Sequence, residues 1–209
     1  MITYERSFDE QGLLVVLSGP SGVGKNSIID ALRREDPRRF HSVSMTTRKP
    51  RKDEQEGTSY HFTSKEHFEQ LISQGEILEY DTYCGEYYGT PKGPIDRMIE
   101  ENTDVLLDLT VKGALELKSN CPSAVIVFIT ASSEETLRQR LTGRGTESPE
   151  AIERRLEAAR DELATISLFD YWVINDVIED AAAAVSAIMR AEKRRTARFF
   201  VDDCDLVTV

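Results

Sequence analysis

Apolar and polar positions follow two different patterns along the chain. The first pattern predicts a core of buried strands. Three short, almost continuous apolar runs cover residues 13–17, 105–109 and 124–129. Runs this short, without alternation, are typical of strands buried on both faces of a parallel sheet. A segment with helical spacing follows each run, at 25–34, 111–118 and 134–141, and a fourth strand at 171–174 precedes an alanine-rich helix at about 180–195. The repeated order of strand and helix predicts an α/β fold.

The second pattern consists of short, half-polar strands rich in aromatic residues. It predicts strands at 42–44, 59–62, 77–80 and 86–88 around one helix at 65–74. Such a segment suits a small mixed sheet inserted into the α/β core. A further stretch, 138–160, contains six arginines, and Pro149 fits the first position of a helix there. We interpret this stretch as a hinged basic flap.

Composition and charge narrow the class of protein. The 209 residues include 26 Lys and Arg against 37 Asp and Glu, a formal net charge of −11, which argues against a general nucleic-acid surface. The longest apolar run is far shorter than the ~20 residues of a membrane-spanning helix, and residues 1–12 lack the order of a secretory signal. Three cysteines without CxxC spacing suggest reduced thiols. We expect a single-domain cytoplasmic protein, with monomer and homodimer both left open.

The clearest motif follows the first strand and opens the first helix. It has the form G-x-x-x-x-G-K and consists of Gly19, Pro20, Ser21, Gly22, Val23, Gly24 and Lys25, followed by Asn26 and Ser27. The glycines allow backbone N–H groups to surround phosphate oxygens, and the lysine adds a full charge at the β and γ phosphates. Ser27 is the hydroxyl best placed to reach Mg²⁺. A turn that merely joins strand and helix would not need this register, so we predict a nucleoside triphosphate site.

Several further motifs occur in an order and spacing that closely resemble guanylate kinases, from about residue 13 to 195. They are the phosphate loop, Ser44 to Arg51 with Glu54, then Tyr60, Glu79, the YYGT turn at 87–90, Asp108, and the segment RLTGRGT at 140–146. The resemblance implies a P-loop NTPase-type parallel sheet flanked by helices. It implies one domain over 1–209, with a core at about 10–41, 89–137 and 168–195, an NMP-binding insertion at about 42–88 and a helical lid at about 138–167.

The resemblance also implies transfer of the ATP γ-phosphoryl group to GMP or dGMP, and it assigns an acceptor site. Guanidinium groups match a phosphate bidentately and phenol hydroxyls add further hydrogen bonds, while a carboxylate suits the adjacent N1–H and N2–H donors of guanine. The residues expected at the phosphate are Arg48, Arg51, Tyr60 and Tyr88, and Glu54 is expected elsewhere among the GMP-binding residues. Those expected at the base are Ser44, Glu79 and Thr90, with Asp108 nearby.

Catalysis in such an enzyme needs no general base, because the accepting phosphate oxygen is already anionic. Positioning and charge neutralisation remain as the main contributions. The resemblance assigns them to Mg²⁺ and to Lys25, Arg140, Arg144, Arg155 and Asp108. It places Asn175 on the adenine side of the ATP site.

Three positions depart from the family pattern. Thr110 stands where a second acid is usual, Lys112 replaces a more usual Gln, and Asn26 occupies the Ser or Thr position of the loop. The missing acid leaves affinity or selectivity for the base in question. Two alternatives therefore stay open: a related kinase with an acceptor such as ribose 1,5-bisphosphate, and a non-catalytic guanylate kinase-like module. The retained acceptor motifs argue against the first, and the intact loop lysine argues against the second.

Overall fold

A computed structural model describes residues 12–51, 54–143 and 148–198. In chain order, its elements are β1 (Leu14–Ser18), α1 (Lys25–Glu35), β2 (Phe40–His41), β3 (Met45–Thr46), β4 (His61–Phe62), α2 (Lys65–Ser73), β5 (Ile77–Tyr83), β6 (Glu86–Pro91), α3 (Lys92–Glu100), β7 (Val105–Asp108), α4 (Val111–Asn120), β8 (Val125–Thr130), α5 (Glu134–Thr142), α6 (Pro149–Leu163), β9 (Tyr171–Ile174) and α7 (Ile178–Glu192). Two short 3₁₀ turns follow α6 and α7, at Ile166–Leu168 and Thr196–Arg198. In these ranges no helix is long and apolar enough to cross a membrane.

Five strands form a parallel sheet in the order β2-β7-β1-β8-β9. Its central strands are apolar on both faces: Val15 and Val127 belong to one hydrophobic cluster, and Val16 and Ile126 to the other. Helices α1 and α7 pack against each other on the first face, while α3 and α4 cover the second. This arrangement confirms the predicted α/β class, and it brings the carboxyl ends of β1, β7 and β9 to one edge, where open α/β sheets bind their ligands.

The predicted insertion is a second, mixed sheet in the order β4-β3-β6-β5. Strand β6 runs antiparallel to both β3 and β5, whereas β3 and β4 are parallel. Helix α2 closes this sheet with Phe68, which is fully buried and stacks on Tyr87 with ring centroids 5.1 Å apart. The aromatic residues of the segment therefore form the small core of the insertion.

One predicted strand was wrong in its detail, and one helix was not predicted. The strand expected at 42–44 is a connection, and the paired residues lie on either side of it in β2 and β3. Pairing of such short strands depends on the neighbouring strands more than on local sequence. Helix α3, which contains Gly93 and Pro94, was not among the predicted elements. Pro94 lies in the first turn, where a helix does not need its N–H group, so the helix forms.

Candidate active site

The phosphate loop connects β1 to α1, and two of its glycines are required by its shape. Gly19 has a φ of +127°, and a Cβ there would lie 2.2 Å from the Ile129 carbonyl oxygen. Gly24, with φ +88°, caps α1 without a side chain, so the N–H groups of the first turn face the space where an anion binds. The Lys25 Nζ donates to the Gly19 carbonyl at 2.9 Å and lies across the loop.

Asp108 lies beside this lysine at the end of β7. Its Oδ1 is 3.6 Å from Lys25 Nζ, because the register of β1 and β7 pairs it with Leu17, just before the loop. Burial raises the pKa of the Asp108 carboxyl, and the charges of Lys25 and His41 oppose that rise. The structure thus brings together the loop lysine and the strand-end carboxylate that the sequence singles out.

The carbonyl of Val23 in the loop accepts hydrogen bonds from residues that are distant in sequence. Asn175, which follows β9 and is 1% exposed, donates from Nδ2 at 2.7 Å. Arg140 on α5 donates from Nη1 at 3.5 Å, and its Nη2 reaches the Asp176 carbonyl at 3.3 Å. Asn175 therefore supports the backbone of the loop; its contact with adenine stays a prediction.

The arginine-rich stretch divides into two groups. Arg155 on α6 donates to the hydroxyl of Ser21 in the loop, as a lid residue would. Arg138 and Arg160 instead form surface ion pairs. Arg138 pairs with Glu153 on α6, and Arg160 pairs with Glu134 on α5 at 2.6 Å. Arg144 lies outside the described residues, so its place in the lid stays a prediction.

Sequence reasoning missed one carboxylate at this end of the site. Glu162 lies on α6 seven residues after Arg155, a spacing that puts both side chains on one helix face. Burial raises the pKa of the Glu162 carboxyl, and the positive charge of Lys25 acts in the opposite direction. The seven-residue spacing was the signal that could have identified it.

Five of the predicted acceptor residues form a cluster on the insertion. The Arg48 guanidinium makes two 2.8 Å hydrogen bonds to Glu54, a third of 3.2 Å to the Tyr88 hydroxyl, and lies 5.4 Å from the Tyr60 ring centroid. Glu54 also accepts from the Arg51 backbone N–H at 2.7 Å, and hydrogen bonding to Arg48 lowers its pKa to about 2. Glu54 thus orients the arginine that we expect to bind phosphate.

A second acceptor cluster surrounds Glu79 on β5. This carboxylate is 6% exposed and accepts a 2.5 Å hydrogen bond from the hydroxyl of Thr90 at the end of β6. Burial is the main reason that the pKa of Glu79 is raised; the charges of Glu116 and Asp81 add to the rise, while Thr90 and Lys112 oppose it. A buried carboxylate with spare acceptor capacity is suited to paired N–H donors.

Ser44 precedes β3 in the insertion. Its carbonyl accepts from the His61 N–H at 2.9 Å, so its backbone is fixed in the sheet. Its hydroxyl contact with the base stays a prediction.

The residues that depart from the family pattern have structural partners. The Thr110 hydroxyl caps α4 by accepting from the Gly113 N–H at 3.1 Å. Lys112 donates to Asp81 at 2.6 Å and so links α4 to β5, two residues beyond Glu79. Asn26 and Ser27 are both exposed in the first turn of α1, which leaves the Ser27 hydroxyl accessible.

The core is a parallel sheet with a phosphate loop, and the inserted sheet beside it carries an arginine paired with Glu54 and the buried carboxylate of Glu79. These features together define a P-loop nucleoside monophosphate kinase. The guanylate kinase family model matches residues 11–192. The chain is 46% identical over 189 residues to the guanylate kinase of Lactococcus lactis subsp. lactis, covering 90% of this chain and 92% of that protein. It is 42% identical over 190 residues to that of Listeria monocytogenes serotype 4b, covering 90% and 93%.

A solved structure agrees with these relatives. The crystal structure of guanylate kinase from Anaplasma phagocytophilum matches with a TM-score of 0.71 and 31% identity, covering 91% of this chain and 90% of that one. The chain belongs to the guanylate kinase family. It is an enzyme, and no observation favours the alternatives of a different acceptor or a non-catalytic module.

Proposed function

We propose that this chain transfers the γ-phosphoryl group of MgATP to the phosphate of GMP or dGMP, giving ADP and GDP, with the residues described above. The observation that carries the proposal is the pairing of a complete phosphate loop with a buried carboxylate, Glu79, in a separate sheet. The loop suits the donor triphosphate, and Glu79 suits the N1–H and 2-amino donors of guanine. Adenine offers no such pair of donors.

At the donor, the loop amides and Lys25 bind the β and γ phosphates. Asn175 and Arg140 hold the loop through the Val23 carbonyl. Arg140 and Arg155, together with Arg144, neutralise charge on the transferred group, and Asp108 holds Lys25 in place. The proposed domain division follows this arrangement: the core binds ATP, the insertion at about 42–88 binds GMP, and the segment at about 138–167 closes over both.

At the acceptor, Arg48 and Arg51 bind the GMP phosphate together with the hydroxyls of Tyr60 and Tyr88. Ser44, Glu79 and Thr90 bind the base. The attacking phosphate oxygen is already anionic, so the chain needs only to align it with the γ-phosphorus and exclude water. No side chain has to remove a proton.

Mg²⁺ fits the oxygen donors at the loop. The part of the chain that the structure describes holds no cluster of three or more His, Cys, Asp or Glu suited to a metal. A kinase site typically binds Mg²⁺ through one or two protein oxygens plus substrate phosphates, and the Ser27 hydroxyl supplies one. When bound, Mg²⁺ neutralises phosphate charge.

The acidic composition and the reduced thiols favour a cytoplasmic enzyme that acts on free nucleotides rather than on nucleic acid or membranes.

A coupled assay of ADP release tests the proposal across GMP, dGMP, AMP, UMP and ribose 1,5-bisphosphate. We expect GMP to be preferred, and clear preference for another acceptor would overturn the assignment. Lys25→Ala should remove most activity and retain the fold, because the Nζ makes polar contacts with the loop and Asp108 and is not part of the hydrophobic core. Arg34→Ala, an exposed change on the same helix, serves as control. Retained turnover in Lys25→Ala would contradict the role of the loop.

A further inference from the structure

The first turn of α4 lies directly behind the Glu79 carboxylate. Gly113 is buried in this turn, and an ideal Cβ built on it would lie 2.8 Å from Glu79 Oε2. The next nearest atom is the Thr110 hydroxyl at 3.3 Å. A carbon and an oxygen do not approach to 2.8 Å without repulsion, so any side chain at position 113 would meet the carboxylate.

The side chain, and not the helix, is the part that would yield. The helix backbone is held by two hydrogen bonds to Thr110: the Gly113 N–H donates to its hydroxyl at 3.1 Å, and the Ala114 N–H to its carbonyl at 2.9 Å. The Glu79 carboxyl is the far end of a flexible side chain, whose other oxygen is fixed by Thr90. A methyl group at 113 would therefore rotate the carboxylate and disturb its bond to Thr90 while leaving the fold in place.

We propose that Gly113 is a positioning residue: by carrying no side chain it leaves the Glu79 carboxylate in the orientation that Thr90 holds, and it thereby sets the preference for guanine. The inference rests on the proposed function, in which Glu79 accepts from N1–H and from the 2-amino group. Two parallel hydrogen bonds require a fixed carboxylate plane, whereas a single bond tolerates rotation. The carboxylate oxygens have enough acceptor positions to bind Thr90 and the base together.

The test compares Gly113→Ala with Gly93→Ala. Both glycines are helical, but a Cβ at Gly93 on α3 meets nothing within 4 Å, so only the first substitution adds a contact. The substrates are GMP and inosine monophosphate, which retains N1–H and lacks the 2-amino group. We expect the GMP to inosine monophosphate ratio of kcat/KM to fall roughly tenfold in Gly113→Ala, the effect of weakening one charged hydrogen bond. The ratio should not change in Gly93→Ala, and KM for ATP should not change in either variant.

A double-mutant cycle with Glu79→Gln separates positioning from general disruption. If Gly113 acts through Glu79, adding Gly113→Ala to Glu79→Gln should change the ratio no further. The inference would be overturned by an unchanged ratio in Gly113→Ala. It would also be overturned if the binding of ATP, measured by its KM, weakened as much as the use of GMP. Wild-type protein without GMP turnover would instead overturn the proposed function.

A second variant keeps the test decisive if Gly113→Ala is too unstable to assay. Glu79→Asp shortens the acid by one methylene and removes the contact. The melting temperature of Gly113→Ala should then rise when Glu79→Asp is added. Failure of this rescue would show that the lost stability does not come from Glu79 and would contradict the proposal.

Discussion

The Thr90 hydroxyl donates a 2.5 Å hydrogen bond to one oxygen of the Glu79 carboxylate. The bond holds the carboxylate in one direction, yet burial still raises the pKa of Glu79 above its usual value of 4.5. The hydrogen bond from Thr90 therefore offsets only part of the cost of burying the ionised group. Two N–H donors from a guanine base would offset more of that cost, which would contribute to affinity for the base.

Replacing this carboxylate should separate stability from activity. In Glu79→Gln the amide oxygen can still accept from Thr90, while the buried charge is gone, so the melting temperature should be unchanged or higher. The amide cannot accept from both base donors, and kcat/KM for GMP should fall ~10² to 10³-fold. Differential scanning fluorimetry and steady-state kinetics measure both. Glu76→Gln, an exposed change three residues earlier, is the control; a Glu79→Gln variant with normal GMP kinetics would show that the base is read elsewhere.

The raised pKa of Glu79 predicts how GMP binding depends on pH. Only the ionised form accepts both donors, so KM for GMP should rise as pH falls through the raised pKa, starting above pH 4.5. Ionised Glu79 is disfavoured in the folded state, so its contribution to stability changes in the opposite direction and improves as pH falls. The GMP phosphate itself titrates near pH ~6, and comparison with Glu79→Gln removes that contribution. Identical pH profiles for the two proteins would contradict the assignment.

The ion pair between Arg48 and Glu54 predicts that a change at Arg48 weakens the use of GMP and not the binding of ATP. The two 2.8 Å bonds between them fix the guanidinium plane, which a lysine cannot reproduce. Arg48→Lys should reduce kcat/KM for GMP by ~10 to 10²-fold and leave KM for ATP within about twofold. The control is Lys49→Ala, which removes an exposed neighbouring charge. If Arg48→Lys weakened ATP and GMP equally, Arg48 would serve the whole fold and not the acceptor phosphate.

Thr110 provides a gain-of-function prediction. Aspartate caps helices at least as well as threonine, so Thr110→Asp should preserve α4 while returning the family's usual acid to the acceptor pocket. We expect KM for GMP to fall severalfold in a titration at fixed ATP. Thr110→Asn keeps the cap without the charge and should behave as wild type. An unchanged or higher KM in Thr110→Asp would mean that threonine is no defect here.

The long elements of the fold could be predicted because their signals are local. Strands β1, β7 and β8 are buried almost throughout, and the loop that follows β1 has a strict pattern of glycine and lysine. Strand β9 is an equally apolar run, but it lies at the sheet edge with Trp172 61% exposed. The two-residue strands could not be predicted, since their pairing depends on neighbours distant in sequence. Helix α3, which carries a glycine and a proline in its first turn, was not predicted.

The site was predictable where chemistry requires a residue type at a given place in a motif. The residues that those side chains contact could not be predicted. The sequence did not indicate that Lys112 meets Asp81, 31 residues away, or that the charge of Lys25 acts on the Glu162 carboxyl. These interactions follow from how α4 and α6 pack in the fold, which no short segment of sequence encodes.

The hydrogen bond between Asn175 and the Val23 carbonyl joins residues 152 positions apart. A chain emerging from the ribosome therefore has its phosphate loop long before it has the residue that supports that loop. Until β9 joins the sheet, the loop lacks this hydrogen bond. We therefore expect a chain that ends before β9 to bind ATP more weakly than the complete sheet does.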